Sequence, residues 1–398
     1  MHVLITTPSY PPASGGVANV AQRQAQHLVR QGHQVTVITG GGAGAEDETS
    51  SHAGVSVICI PVRTGRFPRY AAGDALGIRQ PKARNRYQDL LLRSDADVVV
   101  SHCWQAWNTD WAVDIADRLR YPFCLYSHGT SVNDTSGRTG WLRWLRWRSY
   151  SAVRIPRSLR VITLLINLAA QADRNRFYDV TMARRLGTAM AIVPNCASSL
   201  LGAAVPWQPE GISTRYMALS IGQYSAEKNS AQVLDTFLRH ASSDWSLVLC
   251  GSHRTGCLQA LEKRYAAISK QQSAPPVFFL VGLTQVELMG LYKRANLFLA
   301  ASKTECQPLV ILDAMAAGVP FLSTDVGCVR SLPGGLVARN VEEFNGNASA
   351  LMSDTELRAT LAMAGRHSHE ATYTCEVTLH HLEKVLVETI DLAGGRSA

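Results

Sequence analysis

Residues 302–317 read Ser302-Lys303-Thr304-Glu305-Cys306-Gln307-Pro308-Leu309-Val310-Ile311-Leu312-Asp313-Ala314-Met315-Ala316-Ala317, and the rest of the chain is organised around them. The apolar run just before, Ala295-Asn296-Leu297-Phe298-Leu299, has the character of a strand. Leu309, Leu312, Met315 and Ala316 then recur at helical spacing, so the chain turns from strand to helix here. Pro308 suits the first helical position, where a residue has no intrahelical use for its N–H. Glu305 is thereby delivered to the mouth of a helix, where unpaired amides and a positive dipole hold phosphate. The amides of Gln307, Leu309 and Val310 are the candidate donors. Asp313 lies within the helix, eight residues after Glu305. A carboxylate at each end of the stretch can grip hydroxyls while the helix mouth holds a diphosphate, which describes a nucleotide-sugar site. A plain strand and helix with incidental surface acids fits the pair equally well, so the remainder of the chain decides.

The spacing Glu305-x7-Asp313 resembles the E-x7-E motif of retaining glycosyltransferases of family 4, which have the GT-B fold, and the following Ala-Met-Ala-Ala-Gly-Val-Pro matches that family's wording. The resemblance implies that Glu305 contacts donor-sugar hydroxyls and Asp313 the ribose. Two departures are visible. The second acid is Asp, one methylene shorter, and Cys306-Gln307-Pro308 stands where Gly-Phe-Gly is usual.

A chain of 398 residues with 46% hydrophobic content suffices for two domains with separate cores. The net charge of +8 permits an anionic partner without singling out nucleic acid. The start, MHVLITTPSYPP, has no basic n-region and meets proline early, unlike a secretory signal. No apolar run reaches the roughly 18 residues a spanning helix needs. Nine cysteines without a C-x-x-C pair read as reduced thiols, with no zinc site implied.

In chain order, a β-rich run at 2–7, a Pro/Ser/Gly loop, a helix opened by Gly15-Gly16 and a second run at 34–39 make a βαβ unit, hence a parallel sheet. This segment also resembles the first βαβ unit of the same family, in which paired glycines let the backbone approach donor and acceptor. Gly40 to Ala45 formally fits G-x-G-x-x-A, but the following Glu46-Asp47-Glu48 shows no helical period, so it is no dinucleotide fingerprint. Gly251 to Gly256 lacks the Lys-Ser/Thr of a P-loop. Asp95-Ala96-Asp97 could suggest chelation, but acids at a strand start explain it as well. Strand signals resume at 97–101 and 123–127. The second ends in Ser127-His128-Gly129, similar to the family's strand-end histidine that faces the donor sugar, and such a strand end is where α/β sheets bind ligands.

Residues 137–160 hold seven arginines and no acid, with Trp141, Trp144 and Trp147 interleaved. On a helix Trp141, Trp144 and Leu145 share a side, Arg143 and Arg146 lie roughly opposite, and Arg148 falls near the apolar side. Such density suits the interface of an anionic bilayer. A solvated helix with tryptophans packed inward stays open, and nucleic acid ranks behind both. The segment 63–86 is basic too, with Asp74 its one acid.

Runs at 160–163 and 189–193 read as the last strands of the first half. Pro194-Asn195 resembles the family's linker entrance, with Cys196 in place of glycine. The second half restarts with a strand at 217–221 and the loop Gly222-Gln223-Tyr224-Ser225-Ala226-Glu227-Lys228-Asn229, close to the family's G-R-x-x-x-E-K. Lys228 is in place to neutralise the diphosphate, and Gln223 replaces the arginine. Strands recur at 246–250, 277–281, 297–299 and 320–323. Val281-Gly282-Leu283 matches the loop whose backbone meets the nucleobase. From 341 to about 393 the pattern is helical.

The expected fold is α/β of GT-B type: two doubly wound, Rossmann-like domains facing a central cleft. Residues 1–198 would bind acceptor and 199–398 donor, with a terminal helix crossing back. The resemblance implies retaining transfer of a hexose from a UDP or GDP sugar to the hydroxyl of a glycan or lipid-linked acceptor, in glycan, polysaccharide or glycolipid biosynthesis. His128, Lys228 and Glu305 would be catalytic. Gly15, Gly16, Gly222, Gln223, Lys228, Leu283, Glu305, Gln307, Leu309, Val310 and Asp313 would bind the donor. The helix dipole and Lys228 stand in for a metal, so neither metal nor further cofactor is expected, and nucleic acid is not an expected partner. A nucleotide-sugar 2-epimerase of the same fold and a non-catalytic nucleotide-sugar-binding protein stay open as alternatives. The expected location is the cytoplasm, with peripheral contact to the inner face of the membrane if 137–160 meets lipid.

Overall fold

The computed structural model describes residues 1–13, 15–41, 48–62, 80–129, 140–168, 177–271 and 273–394. The chain divides into two units, Met1–Asn195 with Thr378–Ala398, and Cys196–Val377.

The first unit is built on strands β1 (His2–Thr7), β2 (Gln34–Gly41), β3 (Glu48–His52), β4 (Val55–Pro61), β5 (Val98–His102), β6 (Phe123–Tyr126), β7 (Leu164–Asn167) and β8 (Ala189–Ile192). They lie in the order β3-β4-β2-β1-β5-β6-β7-β8. Only β3 and β4 run antiparallel, and the other neighbours are parallel. The run Val3-Leu4-Ile5-Thr6-Thr7 is buried throughout, as a strand covered on both faces must be. Its described helices are α1 (Gly16–Arg30), α2 (Pro81–Arg93), α3 (Trp107–Val113), α4 (Gly140–Val161) and α5 (Phe177–Leu186). Trp107 and Trp111 of α3 pack with Tyr87 of α2, the Tyr87 and Trp107 rings edge to face at 5.1 Å.

The run at 160–163 is not a strand. Helix α4 continues to Val161, and β7 begins at Leu164. Ile155 and Leu159, one turn apart, are buried in the core, and the helix holds on until that face is filled. The acids of Asp95-Ala96-Asp97 are engaged by the start of β1: Asp95 Oδ1 meets His2 Nδ1 at 2.9 Å, and Asp97 Oδ2 accepts from the His2 amide at 2.6 Å. Most of Gly40 to Ala45 and of 63–86 lies outside the described residues.

The second unit carries β9 (Tyr216–Ile221), α6 (Ser230–His240), β10 (Trp245–Gly251), α7 (Gly256–Gln271), β11 (Val277–Val281), α8 (Gln285–Arg294), β12 (Leu297–Ala300), α9 (Leu309–Ala317), β13 (Phe321–Thr324), β14 (Gly335–Ala338), α10 (Val341–Ser353) and α11 (Thr355–Ser368). The strand order is β11-β10-β9-β12-β13-β14, all parallel. This is a doubly wound sheet whose winding reverses between β9 and β12, the place where such sheets bind ligands beyond the strands' carboxyl ends. In the first unit the same reversal falls between β1 and β5. The thiols of Cys196 and Cys375 meet at 2.6 Å, close to the two chain positions where the second unit begins and ends. Helix α12 (Cys375–Gly394) follows, and its later turns belong to the first unit, where Glu383 Oε1 meets His33 Nε2 at 2.7 Å.

One charge cluster fixes α4 to α3 within the first unit. Asp114, just past the end of α3, takes Arg154 at 3.0 Å, Arg84 at 3.0 Å and Arg157 at 3.4 Å. The carboxylate and Arg154 are almost fully enclosed, at 10% and 11% side-chain exposure, whereas Arg157 is 57% exposed. Removing one member of a buried pair strands the other's charge, which costs roughly 3–5 kcal/mol. Asp114→Ala should therefore lower the thermal midpoint by on the order of 10 °C. Arg157→Ala, which breaks only a screened contact, should shift it by no more than about 2 °C. Equal small shifts in differential scanning calorimetry would show that the cluster does not hold the helix.

Candidate active site

The loops after β9 and β12 flank the reversal of the second sheet, and the structure brings them together. Lys228 Nζ forms an ion pair with Glu305 Oε1. The Lys303 amide donates to the Glu227 carbonyl at 2.8 Å, so the two loops are joined by backbone as well as by charge. Gly222 lies against the lysine's stem, where a Cβ would make ordinary contact with Lys228 Cγ at 3.4 Å. Behind the loop, the Tyr224 hydroxyl donates to the Leu249 carbonyl at 2.7 Å, and Thr255 Oγ1 donates to the Tyr224 carbonyl at 2.8 Å. Burial pushes the Tyr224 phenol well up, so it stays a donor. Asn229 takes a left-handed backbone, φ 51°, and opens α6 directly after Lys228. Gln223 is exposed on the same loop.

Pro308 is the N-cap of α9 and not its first helical residue; Leu309 is first. With φ −71° and ψ 120°, Pro308 keeps the extended geometry that a capping position requires, while its carbonyl accepts from Ile311 at 3.1 Å. The amides of Leu309 and Val310 thus precede the first intrahelical bond. Gln307 is buried beside them. The Tyr292 hydroxyl donates to the Val310 carbonyl at 3.0 Å and fixes the first turn. The loop carrying Glu305 is pinned from the far side. Cys328 donates its amide to the Cys306 carbonyl at 2.9 Å, and Thr324 Oγ1 donates to the Ser302 carbonyl at 2.6 Å. Gly327, at φ 55°, admits this approach, because a Cβ there would come within 2.1 Å of the Cys306 oxygen. Asp313 is buried one turn into α9, and its Oδ1 accepts from the Ser198 amide at 2.7 Å. Leu283 follows β11, the edge strand, on a turn made by Gly282 at φ 72°.

In the first unit, Gly15, Gly16 and His128 occupy the carboxyl end of the sheet. Gly15 adopts φ 155°, and a Cβ at Gly15 or Gly16 would meet nothing within 4 Å, so packing among the described residues does not demand glycine there. His128 follows β6, and its Nε2 lies 2.9 Å from His102 Nδ1, one ring donating and the other accepting. Burial lowers His128 to about 4 and takes His102 well below its usual value, with the neighbouring ring adding to the effect on His102. Both rings are therefore neutral around pH 7. Asn108, fully buried at the head of α3, donates to the Thr6 carbonyl at 3.1 Å and the His102 carbonyl at 3.0 Å, clamping β1 to β5 at their reversal.

His102, Asn108, Tyr224 and Gly327 escaped the sequence reading. His102 carried one usable signal, a histidine ending the apolar run Val98-Val99-Val100-Ser101. The others act through contacts distant in sequence. Among the described residues, no three His, Cys, Asp or Glu side chains gather as a metal site.

The chain's likenesses run the same way. A glycosyl transferase 4-like domain matches residues 15–191, and glycosyl transferases group 1 matches residues 207–368. Over 128 residues the chain is 32% identical to the D-inositol 3-phosphate glycosyltransferase of Salinispora arenicola (strain CNS-205), covering 31% of this chain and 28% of that one. It spans less than half the length of the curated relatives it matches. The sucrose-phosphate synthase from Thermosynechococcus elongatus shares the fold with a TM-score of 0.78 at 14% identity, over 98% of this chain and 99% of the other. A UDP-forming alpha,alpha-trehalose-phosphate synthase from Burkholderia xenovorans, in complex with glucose-6-phosphate, does so with 0.73 at 12% identity, over 97% and 100%. Two family models matched in order along most of the sequence, on two Rossmann-like units, place the chain among the family 4 glycosyltransferases of GT-B fold.

Proposed function

We propose that the protein is a retaining hexosyltransferase that uses a nucleoside-diphosphate sugar, with UDP or GDP as the leaving group. The observation that carries this is the pairing of Lys228 with Glu305 beside the open amides of α9, at the winding reversal of the second sheet. The second unit then serves as the donor domain. Lys228 and the amides of Leu309 and Val310 receive the diphosphate, whose charge grows as the sugar–phosphate bond breaks. Glu305 holds sugar hydroxyls, Asp313 the ribose, and the backbone at Leu283 the base. Gln223 offers a neutral hydrogen-bonding group to the phosphates, with Gly222 beside it on the same loop. The new bond from the acceptor oxygen to C1 forms on the face the diphosphate leaves, and the acceptor proton passes to the departing phosphate oxygen. No general base from the protein is required.

The first unit is assigned the acceptor. Gly15 and Gly16 would offer backbone to a substrate there, and His128 a neutral hydrogen-bonding group. The phosphorylated polyols and sugars for which the relatives are named, inositol 3-phosphate, sucrose-phosphate and trehalose-phosphate, support an acceptor rich in hydroxyls. A glycan or lipid-linked acceptor fits that description.

A thermal-shift series with UDP-, GDP-, ADP- and dTDP-sugars identifies the donor, because a ligand bound only by the native state raises the midpoint. With that donor, Glu305→Gln should lower turnover by on the order of 10²–10³-fold. The midpoint should barely move, since the pair with Lys228 is partly solvated. Sugar interconversion without acceptor would instead identify an epimerase, and donor binding without turnover a binding protein.

Asp313 gives a separable outcome. Asp313→Ala should weaken free nucleoside diphosphate by roughly tenfold and also lower stability, because the Ser198 amide loses its acceptor. Asp313→Asn retains an acceptor for Ser198, so it should recover the stability while nucleotide binding stays weak. Unchanged nucleotide affinity by calorimetry in both variants would remove Asp313 from the ribose.

The pH dependence follows from burial. His128 titrates near 6.5 in the unfolded chain and at about 4 in the folded one. Between these values the unfolded chain binds more protons, so the histidine's contribution to stability is complete above about pH 6.5 and is lost as pH falls toward 4. His128→Gln, neutral at every pH, should flatten the acid limb of the denaturation profile over that window. An unchanged slope would mean that the histidine is solvated.

A further inference from the structure

Helix α4 does two different things along its length. Trp144, Arg148, Ile155 and Leu159 are separated by four, seven and four residues and form one line along the helix. At its far end this line is core, with Ile155 and Leu159 buried. At its near end it is open, with Trp141 62%, Trp144 37% and Leu145 48% exposed. The alternative in which the tryptophans pack inward therefore fails for Trp141 and Trp144. The helix is held rigidly past this point: Tyr150 donates to Asp110 at 2.7 Å, and Arg154 and Arg157 are taken up by Asp114. The first turns of α4 thus carry exposed aromatic and aliphatic surface on a helix anchored further along.

Its chemistry selects the partner. Arg148 lies over the Trp144 ring, 4.9 Å from the centroid, so charge and aromatic surface are presented together. Residues 137–160 contain no acid. Of the described arginines there, Arg154 and Arg157 are spent on Asp114, while Arg148 and Arg160 are exposed. A basic and aromatic patch in a stretch without acids complements a surface of one uniform negative sign. Lipid headgroup phosphates accept from arginine, and the boundary beneath them takes indole rings with one edge wet and one edge apolar. No helix among the described residues is long and apolar enough to cross a membrane, so the contact is with the surface.

We propose that the first turns of α4, through Trp141, Trp144, Leu145 and Arg148, dock the protein on an anionic bilayer surface. The docking is independent of the transferase reading. Joined to it, docking makes the acceptor a lipid-linked glycan or a glycosylated lipid, presented at the membrane to the first unit.

The test is flotation of the full chain with phosphatidylcholine vesicles and with vesicles containing about a third phosphatidylglycerol, chosen for its net charge at the surface. The wild type should float with the anionic vesicles at low salt, stay down with the neutral ones, and be released as salt shortens the reach of the charges. Trp141→Ser with Trp144→Ser should cut flotation about tenfold, and Arg148→Ser should raise the anionic fraction needed. All three positions are exposed, so thermal midpoints should match the wild type. Transfer to a detergent-solubilised acceptor should be unaffected, which separates failure of docking from failure of the transferase reading. Wild type remaining at the bottom with anionic vesicles at low salt overturns the proposal, whatever the variants do. So does flotation of the tryptophan variant equal to wild type. A dimer that the variant dissociates, or a nucleic-acid shift that it abolishes, with no flotation, would reassign the face to that partner.

Discussion

An all-parallel sheet sends every strand's carboxyl end to one edge, and each connection must return over one face or the other. Where the returns switch faces, between β9 and β12, no crossover helix fills the space beyond the strands. The two loops that leave there can approach each other, and here they do, through the Lys303 amide and the Glu227 carbonyl. The charges follow from that approach. An ammonium beside the positive end of α9 would be unfavourable alone, and Glu305 offsets it. Under the proposed function, a diphosphate arriving at the same place would supply its own negative charge to Lys228 and release the carboxylate toward hydroxyls.

The first unit solves a related problem with buried polar groups. Asn108, His102, Ser101, Thr6 and Thr109 are all buried at the β1–β5 reversal, and hydrogen bonds join them. These bonds order the cluster, while Asn108 Oδ1 and His102 Nε2 are buried without a hydrogen-bond partner among the described residues, each at a cost of about 1–3 kcal/mol. Cys103 and Gln105 follow with left-handed backbones, φ 74° and 51°, a strain tolerated because Cys103 donates to the Tyr126 carbonyl and Gln105 to the Tyr150 hydroxyl. The same Tyr150 bonds Asp110, so the strained turn and the anchored part of α4 share a post.

What could be read in the sequence was what local pattern dictates. The buried strands, the doubly wound rhythm and the two loops holding Lys228 and Glu305 announce themselves through short apolar runs and turn residues within a few positions of each other. Boundaries were less legible. A run such as Arg160-Val161-Ile162-Thr163 fits a strand or a helix end, and tertiary packing of Ile155 and Leu159 decides between them. Contacts between distant positions left no local mark. Gly327 against Cys306, and Cys196 against Cys375, join places that no period connects. In 137–160 composition was informative about character, but it could not say which tryptophans were covered; that depends on where Asp114 holds the helix.

The acid at 313 shows how one methylene redistributes a role. The family motif has glutamate there, with reach enough to leave the helix surface. Aspartate is shorter, and its carboxylate sits buried with Oδ1 on the Ser198 amide. A buried carboxylate needs such a donor, since its desolvation is otherwise costly. Ser198 is itself ordered, its side chain capping the short turn Ser199–Leu201 and its neighbour Ala197 donating to the Tyr373 carbonyl at 3.0 Å. The residue that would touch ribose therefore also ties α9 to the chain at Ser198, whose neighbour Ala197 is in turn bonded to Tyr373. The shorter acid thus carries a structural duty through its Oδ1, which holds α9 to the chain at Ser198.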